Sequence, residues 1–248
     1  LRDRKHRERN QLFLVEGLLE CQRALQAGYT ACDFLIPEDC QEPSIVGFIR
    51  HYVALTKRLS LRAFGKIAVK SSGEAIVGVF HIPGGRPKKQ TSERATPFVM
   101  IAEDIEKPGN LGALLRSADG AGVTEVIICG QGVDIYNHNA IRASRGAVFS
   151  QQISCHTCES AFETLQNNKI KIAVADPGAA GAYYQCDYRQ PIAFLIGSEA
   201  HGVSEFWRSR ADLLISIPMA GISDSLNASV AGAVLMFEVA RQRALDLE

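Results

Sequence analysis

The chain has 248 residues, 46% of them hydrophobic and 22% charged, and its 27 basic and 27 acidic side chains give a formal net charge of zero. This composition is typical of a soluble globular protein, and the length suits one large domain or two modest ones. No run of about 18 apolar residues exists and the charged residues 1–10 lack a signal-peptide core, which argues against a membrane span and a secretory signal.

Charge is divided unevenly along the chain. Residues 1–95 contain 16 basic and 10 acidic side chains, a balance of +6, whereas residues 96–248 contain 11 and 17, a balance of −6. A basic leading part suggests contact with a polyanion, although basic solvated faces are common. The seven scattered cysteines favour reduced thiols in the cytoplasm. Cys155-His-Thr-Cys158 has no second pair at ligand spacing, so we expect two half-buried thiols and no metal site.

The first third of the chain alternates short helices and strands. Periodicity and punctuation predict helices over 16–27, 43–52 and 60–68 and strands over 32–36 and 75–82. Residues 2–9 are a charged arm or first helical turn, and its arginines either fray in solvent or contact phosphate. The alternation predicts a small α/β domain over 1–84. The polar stretch 85–95 is the best candidate for a linker, with a long surface loop as the alternative.

The rest of the chain, 96–248, repeats a strand and then a helix with short connections. The predicted strands are 97–102, 125–129, 170–175, 192–196 and 213–217, and the predicted helices are 111–122, 137–144, 162–166 and 226–247. This pattern predicts a parallel sheet with helices on both faces. Ligands of such sheets bind outside the carboxyl ends of the strands.

Three loops follow predicted strands at that edge. In the first, Asn110 is placed to cap the helix that begins at residue 111, and Arg116 lies two turns further, where a surface salt bridge is the ordinary role. In the second, Gly197 allows a ligand to approach the backbone. Glu199 either binds a cation or serves as a helix-start carboxylate. In the third, residues 217–229, Gly221 permits a tight turn before a new helix.

The third loop resembles a ligand cradle, because backbone N–H groups point outward at a helix start. Ser223, Asp224 and Ser225 are all capping residues, and an ordinary strand-to-helix turn is the alternative. The run Arg142–Ala147 is equally a polar helix end or a basic anion-binding turn. Gly130-Gln-Gly132 follows a predicted strand, but residue 135, where G-x-G-x-x-G requires its third glycine, is Ile, so this dinucleotide-binding motif is not matched. The sequence also contains no Walker A motif and no G-x-S-x-G motif. Triphosphate hydrolysis and serine hydrolysis are therefore not leading interpretations.

Taken together, the three loops resemble the ordered motifs of the SpoU/TrmH family, the RNA ribose 2′-O-methyltransferases of the SPOUT superfamily. The matching residues are Asn110-x-Gly-x-x-x-Arg116, Ile196-Gly-Ser-Glu199-x-x-Gly202 and Ile217-Pro-Met-x-Gly-x-x-x-Ser225-Leu-Asn227-x-Ser229. Three motifs in order are far more specific than any one alone. The likeness covers 96–248, and residues 1–84 resemble, more weakly, the substrate-binding domain of many members.

The resemblance implies a parallel sheet with a C-terminal trefoil knot, a homodimer, and methyl transfer from S-adenosylmethionine to a ribose 2′-hydroxyl of rRNA or tRNA. It assigns catalysis to Arg116, Asn110, Glu199, Ser225 and Asn227. It assigns the cofactor to Leu195, Ile196, Gly197, Ile217, Met219, Ser225 and Leu226. For RNA contact we expect Arg7, Arg9, Arg142 and Arg145. Two alternatives stay open: an RNA-binding protein that kept the fold and lost catalysis, and a methyltransferase that acts on a base.

Overall fold

The computed structural model describes residues 1–68, 75–85, 96–130 and 133–244. Packing divides the chain into two units. Unit 1 comprises Leu1–Lys88 and Asp134–Ser150, and unit 2 comprises Lys89–Val133 and Gln151–Glu248. The segment 134–150, which the sequence places in the second domain, is thus grouped with the first by packing. The predicted linker lies, except for residue 85, outside the described residues.

The described residues form eleven strands and ten α-helices. The strands are β1 Leu12–Glu16, β2 Ala31–Pro37, β3 Thr56–Leu59, β4 Val77–His81, β5 Phe98–Glu103, β6 Glu125–Cys129, β7 Ile153–His156, β8 Lys171–Ala175, β9 Gly181–Ala182, β10 Ile192–Ile196 and β11 Leu213–Ser216. The helices are α1 Arg4–Asn10, α2 Leu18–Gln26, α3 Pro43–Ile49, α4 Leu61–Ile67, α5 Pro108–Gly120, α6 His138–Ala143, α7 Ala147–Ser150, α8 Cys158–Asn167, α9 Glu205–Arg208 and α10 Ala228–Ala244. Short 3₁₀ helices span Arg50–Leu55 and Tyr183–Gln185.

Unit 1 is built on a four-stranded sheet in the order β1-β4-β2-β3. β4 is antiparallel to both β1 and β2, and β3 pairs parallel with β2. The predicted strands 32–36 and 75–82 are confirmed by β2 and β4, whereas β1 and β3 were not assigned from the sequence. The charged N-terminus is a helix, α1, because the Asp3 side chain accepts a hydrogen bond from the Lys5 backbone N–H at 2.8 Å.

An aromatic cluster ties the segment 134–150 into unit 1. The ring of Phe13 on β1 lies 4.6 Å from that of Tyr136 and 6.0 Å from that of Phe149. Tyr29 meets Phe149 edge to face at 5.1 Å. Aromatic pairs at these separations add about 0.5–1.5 kcal/mol each beyond the burial of their area. The segment therefore shares one apolar core with β1 and with Tyr29, which lies just before β2.

Unit 2 contains a seven-stranded sheet in the order β7-β6-β5-β10-β8-β11-β9, and every neighbouring pair is parallel. The predicted parallel sheet is confirmed. β10 is central and buried throughout, which matches its continuous apolar sequence. The trefoil knot stays a prediction.

Helices cover both faces of this sheet, as predicted. Leu195 of β10 belongs to a core cluster with Leu165 of α8 and Trp207 of α9. On the opposite face α10 packs on β10 and α5. A Cβ added to Gly232 of α10 would come within 2.3 Å of Leu114 of α5, so the two helices approach closely at this glycine. No helix of the described residues is long and apolar enough to cross a membrane.

Candidate active site

A cavity of about 450 Å³ lies in unit 2 where the carboxyl ends of β10, β8 and β11 meet the start of α10. Parallel strands all end at the same edge, which brings loops distant in sequence together there. The volume falls in the range of about 300–1,000 Å³ that is usual for small-molecule sites. Its lining is Lys107, Ala175, Asp176, Pro177, Ile196, Gly197, Ser198, Glu199, Gly202, Val203, Ile215, Ile217, Asp224, Ser225, Leu226, Asn227, Ala228 and Ala231.

The loop after β10 closes on itself and forms one wall of the cavity. Ser198 and Gly202 exchange two backbone hydrogen bonds, with N···O distances of 3.0 and 2.9 Å. Gly202 has a φ of +66°, which favours glycine. A Cβ on Gly197 would lie 2.2 Å from the Gly202 carbonyl oxygen. Gly197 is therefore required by the backbone of its own loop, and not only by the approach of a ligand as the sequence suggested.

Glu103 at the end of β5 holds this loop in place. Its carboxylate is 3% exposed and accepts hydrogen bonds from the Ser204 backbone N–H at 2.9 Å and hydroxyl at 2.6 Å. The thiol of Cys158 is 3.6 Å from the same carboxylate. Sequence reasoning did not select Glu103 or Ser204. Only burial distinguishes this carboxylate from the acidic residues that follow it.

A polar network joins the three predicted motifs at the cavity. The side-chain amide of Asn110 donates to the Glu199 carboxylate, which also accepts from the Glu106 backbone N–H at 3.3 Å. The Asn227 side-chain amide donates to the Asn110 side-chain oxygen at 3.2 Å. The described chain thus brings together Asn110, Glu199 and Asn227, three of the five residues that the resemblance assigns to catalysis.

Glu199 is held as a carboxylate. Partial burial is the largest single influence and raises its pKa, but hydrogen bonds from Asn110 and from backbone N–H groups, with the charge of Lys107, outweigh burial. The pKa of Glu199 therefore lies below its ordinary value. This carboxylate is a hydrogen-bond acceptor and a negative charge at neutral pH.

Two helix starts differ from prediction. α5 begins at Pro108, three residues before the predicted start, because proline fits the first helical position. Asn110 therefore lies within the first turn and does not cap the helix, which leaves its side chain for Glu199. α10 begins at Ala228, and the Asn227 side-chain oxygen caps it by accepting from the Ser229 backbone N–H at 3.0 Å. The predicted caps Ser223, Asp224 and Ser225 lie in the preceding loop.

Most of the predicted cofactor residues line the cavity. They are Ile196, Gly197, Ile217, Ser225 and Leu226. The lining does not include Leu195, whose side chain lies in the core on the other face of the sheet, or Met219. Sequence reasoning missed Lys107, Asp176 and Ala231, which line the cavity from other loops and from α10. Gly221 has open space around it and no positive φ, so nothing in the structure requires glycine there.

The lining residues suit a ligand that joins a nucleoside to charged groups. Aliphatic side chains of Ile196, Ile217 and Leu226 offer flat apolar contact to a base. Lys107 offers a positive charge to a carboxylate, and Asp176, Glu199 and Asp224 offer negative charges to cationic groups. The cavity is therefore compatible in volume and chemistry with S-adenosylmethionine.

Arg116 does not line this cavity. It lies on the exposed side of α5 and makes no ion pair or hydrogen bond within the described residues. Asn110 lies six residues earlier and on a different face of the helix. Six residues rotate the helix by about 600°, which is one full turn plus about 240°. A single chain thus brings Asn110 but not Arg116 into the network with Glu199.

The four arginines predicted to contact RNA have different environments in unit 1. Arg7 is 2% exposed, and its guanidinium bonds Asp134 at 2.7 and 2.8 Å and the Leu1 and Arg2 carbonyls. This position is incompatible with phosphate contact, which corrects the assignment of Arg7. Arg9 is exposed and Arg142 is half-buried.

The run Arg142–Ala147 contains the end of α6, a turn over 144–146 that packs on α2, and the first residue of α7. Arg145 has a φ of 52° and pairs with Glu20 at 3.5 Å, while its carbonyl accepts from the Arg23 guanidinium. Gly146 follows at φ +82°, with Arg23 so close that a Cβ would lie 2.8 Å from its Cδ. The Arg145 side chain remains 49% exposed, so contact with RNA stays a prediction for Arg145.

Cys155 and Cys158 do not form a disulfide. Cys158 is half-buried as expected, whereas Cys155 is exposed, which corrects the expectation of two half-buried thiols. Burial raises the pKa of Cys158, which keeps the thiol protonated. Within the described ranges no group of three or more His, Cys, Asp or Glu side chains could hold a metal ion.

Comparison with known proteins decides the family. The model of the SpoU rRNA Methylase family matches residues 97–237, more than half of the chain. The chain belongs to this family. The model of an MRM3-like substrate binding domain matches residues 1–78. The SpoU match contains all three motifs and the cavity lining, and it also spans the segment 134–150 that packs in unit 1.

Relatives of this SpoU protein include enzymes of assigned activity. It is 25% identical over 240 residues to the 23S rRNA (guanosine(2553)-2′-O)-methyltransferase RlmP of Bacillus subtilis, covering 96% of this chain and 92% of the relative. The crystal structure of an RNA 2′-O ribose methyltransferase shares 34% identity and a TM-score of 0.84, over 98% of this chain and 93% of that one. AviRb from Streptomyces viridochromogenes, solved with AdoMet, shares 25% identity and a TM-score of 0.87, over 98% and 94%. Of three other curated relatives the chain spans 41%, 61% and 50%.

Proposed function

We propose that this protein transfers a methyl group from S-adenosylmethionine to a ribose 2′-hydroxyl of ribosomal RNA. The observation that supports this most is the Asn110–Glu199–Asn227 hydrogen-bond network, which joins residues of all three SpoU motifs and whose Glu199 and Asn227 line the cavity. The relative matched along nearly its whole length is named for 23S rRNA, which favours ribosomal over transfer RNA as the first substrate to test.

The cavity lining suggests how the cofactor is held. Ile196, Ile217 and Leu226 would contact the adenine, and Lys107 with the network carboxylate would hold the charged amino-acid end. When bound, S-adenosylmethionine supplies an electrophilic methyl group on a sulfonium, which the ribose 2′-oxygen accepts as its proton leaves. The Ser198–Gly202 loop fixes the wall against which this reaction is aligned, and alignment supplies much of the rate.

We propose that the active enzyme is a homodimer in which Arg116 of one chain serves the cavity of the other. Arg116 is exposed and remote from its own network. Two side chains of α10, Val230 at 47% and Phe237 at 51%, are large, apolar and exposed, as expected of a face that a second copy covers. The seven cysteines form no disulfide, which fits a reducing cytoplasm. We also propose that the reaction needs no metal and that residues 1–84 select RNA while residues 96–248 catalyse.

Methyl transfer is tested with a deproteinised 23S rRNA transcript and cofactor labelled in the methyl group. We expect label in the RNA, and after nuclease digestion we expect it on a 2′-O-methylated nucleoside. Label on a base would instead support the base-directed alternative. Cofactor binding without any transfer would support an RNA-binding protein without catalysis.

The shared site is tested with mixed dimers of Arg116→Ala and Asn227→Ala chains. If Arg116 serves the partner's cavity, one site of each mixed dimer contains both lesions and the other contains neither. Mixing should then restore activity that neither variant has alone. No recovery, with dimers demonstrated by light scattering, would mean that each site is self-contained.

A further inference from the structure

Several arginines of unit 1 are committed to contacts within the protein. Arg7 is buried against Asp134, and Arg145 pairs with Glu20. Arg23 donates to the Arg145 carbonyl. These guanidinium groups stabilise the packing of the segment 134–150 and are therefore poor candidates for the main contact with a polyanion. If the basic leading part of the chain contacts a polyanion, other cations of unit 1 have to make the main contact.

A second group of cations lies between residues 43 and 68. This stretch contains five Lys and Arg, one His, and no Asp or Glu. It forms α3, the 3₁₀ helix Arg50–Leu55, β3 and α4. All of its cations are exposed: Arg50, His51, Lys57, Arg58, Arg62 and Lys66. The run is free of acidic residues over 26 positions, but Asp33 pairs with Lys57 and Glu38 adjoins Arg58, so the positive charge of β3 is partly offset.

Helix α4 presents its two cations on one face. Arg62 and Lys66 are four residues apart, so they are neighbours on the helix surface. Phe64, on the opposite face, is buried. Gly65 lies between them, and a Cβ added there would meet no atom within 4 Å, so the face is open. Neither Arg62 nor Lys66 makes an ion pair or hydrogen bond within the described residues.

The adjoining strand β3 is an edge of the four-stranded sheet. Lys57 pairs with Asp33 at 2.8 Å, and Arg58 donates to the Glu38 carbonyl at 2.9 Å. Both are exposed. Cations on an edge strand also protect it from pairing with other strands, which is an ordinary structural role. Arg62 and Lys66 lie on a helix and not on an edge strand, so protection of an edge does not explain them. A binding role is therefore the better interpretation for these two cations.

We infer that the exposed face of α4 formed by Arg62 and Lys66, here termed the α4 cationic face, binds the phosphate backbone of the RNA substrate. The inference rests on the proposed function and adds the place where unit 1 holds the substrate. Charge complementarity supports the inference, because cations that neutralise RNA phosphates release counter-ions and so favour binding. Leu61, 59% exposed on the same helix, adds apolar contact area for sugars and unpaired bases.

The test compares two charge-matched variants of the full chain. Arg62→Gln/Lys66→Gln removes two cations from the α4 cationic face. Lys169→Gln/Lys171→Gln removes two exposed lysines at the amino end of β8, the edge of its sheet away from the cavity. Binding to the 23S rRNA transcript is measured between about 50 and 200 mM salt, where electrostatic contacts dominate the change in affinity.

For the α4 variant we expect weaker RNA binding, about ten-fold at low salt, and a salt slope smaller in magnitude by about 1 to 2. S-adenosylmethionine binding and the melting temperature should match those of wild type, since no residue of the cavity is altered. In the control variant RNA affinity should change little. The KM for RNA should rise in the α4 variant with kcat at saturating RNA retained.

Two results would overturn the inference. One is equal RNA binding by the α4 and control variants while wild type methylates the transcript. The other is that the α4 variant binds RNA as wild type does but no longer binds phosphatidylglycerol vesicles that wild type binds. This result would assign the face to a membrane surface. Absence of methylation by wild type, with the α4 variant still impaired in RNA binding, would contradict the proposed function and leave the binding face supported.

Discussion

Arg116 is the residue with the largest expected effect on chemistry and the smallest on stability. It is exposed and makes no ion pair among the residues described. A guanidinium stays protonated at ordinary pH, so we expect it to stabilise the developing alkoxide or hold phosphate and not to act as a base. Arg116→Ala should lower kcat about 10²–10³-fold, as for other preorganised donors. Arg116→Lys should stay measurably active, with cofactor binding unchanged in both.

Single-turnover methylation at saturating RNA across a pH series checks this expectation. Equal and near-total loss of activity in Arg116→Lys and Arg116→Ala would contradict simple charge stabilisation. It would indicate that the planar fork of the guanidinium is needed.

Arg7 illustrates the opposite case, a charged residue whose role is structural. Its buried ion pair with Asp134 joins α1 to the segment 134–150. Removing one member of a buried pair leaves the other charge uncompensated and typically costs about 3–5 kcal/mol. Arg7→Ala should lower the free energy of unfolding of unit 1 by about that amount. Arg4→Ala, which breaks an exposed pair with Glu8, should cost less than about 1 kcal/mol. Urea denaturation of both variants measures the difference, and equal costs would show that Arg7 is not the buried contact described.

At the scale of elements, α6 begins with a histidine that is kept neutral. Burial is the main cause that lowers the pKa of His138, and the charges of Arg2, Arg7 and Arg142 act in the same direction against Glu16. A depressed pKa contributes stability above the unfolded value, about 6.5, which is lost as the pH falls through the folded value. Unit 1 should therefore be less stable at about pH 5.5 than at 7.5. His138→Gln should reduce this pH dependence, whereas replacement of the exposed His51 should not. Urea midpoints at the two pH values provide the measurement.

The elements also show what the sequence can and cannot predict. β6 and β10 match prediction residue for residue because a buried parallel strand is a continuous apolar run. The start of α5 was misplaced because Asn110 has the chemistry of a cap, yet Pro108 already fits the first turn. Glu103 was missed because its role depends on burial beneath the loop of Ser204. Local pattern predicts elements, whereas these roles arise only from tertiary contact.

At the scale of the whole molecule, the sequence predicted a separate methyltransferase domain over residues 96–248. The cavity supports half of this view, because every residue that lines it belongs to unit 2. The segment 134–150 does not support it. Its side chains Tyr136, Ile141 and Phe149 are buried in unit 1, and the rings of Tyr136 and Phe149 pack against that of Phe13.

A fragment of residues 95–248 should therefore bind S-adenosylmethionine and still be poorly soluble. It retains the cavity but removes the partners of the segment 134–150, which leaves an apolar surface open to solvent. We expect it to bind a hydrophobic dye that the full chain does not bind. The substitution Phe149→Ala should then be harmful in the full chain and beneficial in the fragment. In the full chain it should lower the stability of unit 1 by about 3–5 kcal/mol, as for other buried phenylalanines. In the fragment it should reduce dye binding and aggregation. A fragment as soluble as the full chain, with no dye binding, would show that the segment packs onto unit 2 when the first 94 residues are removed.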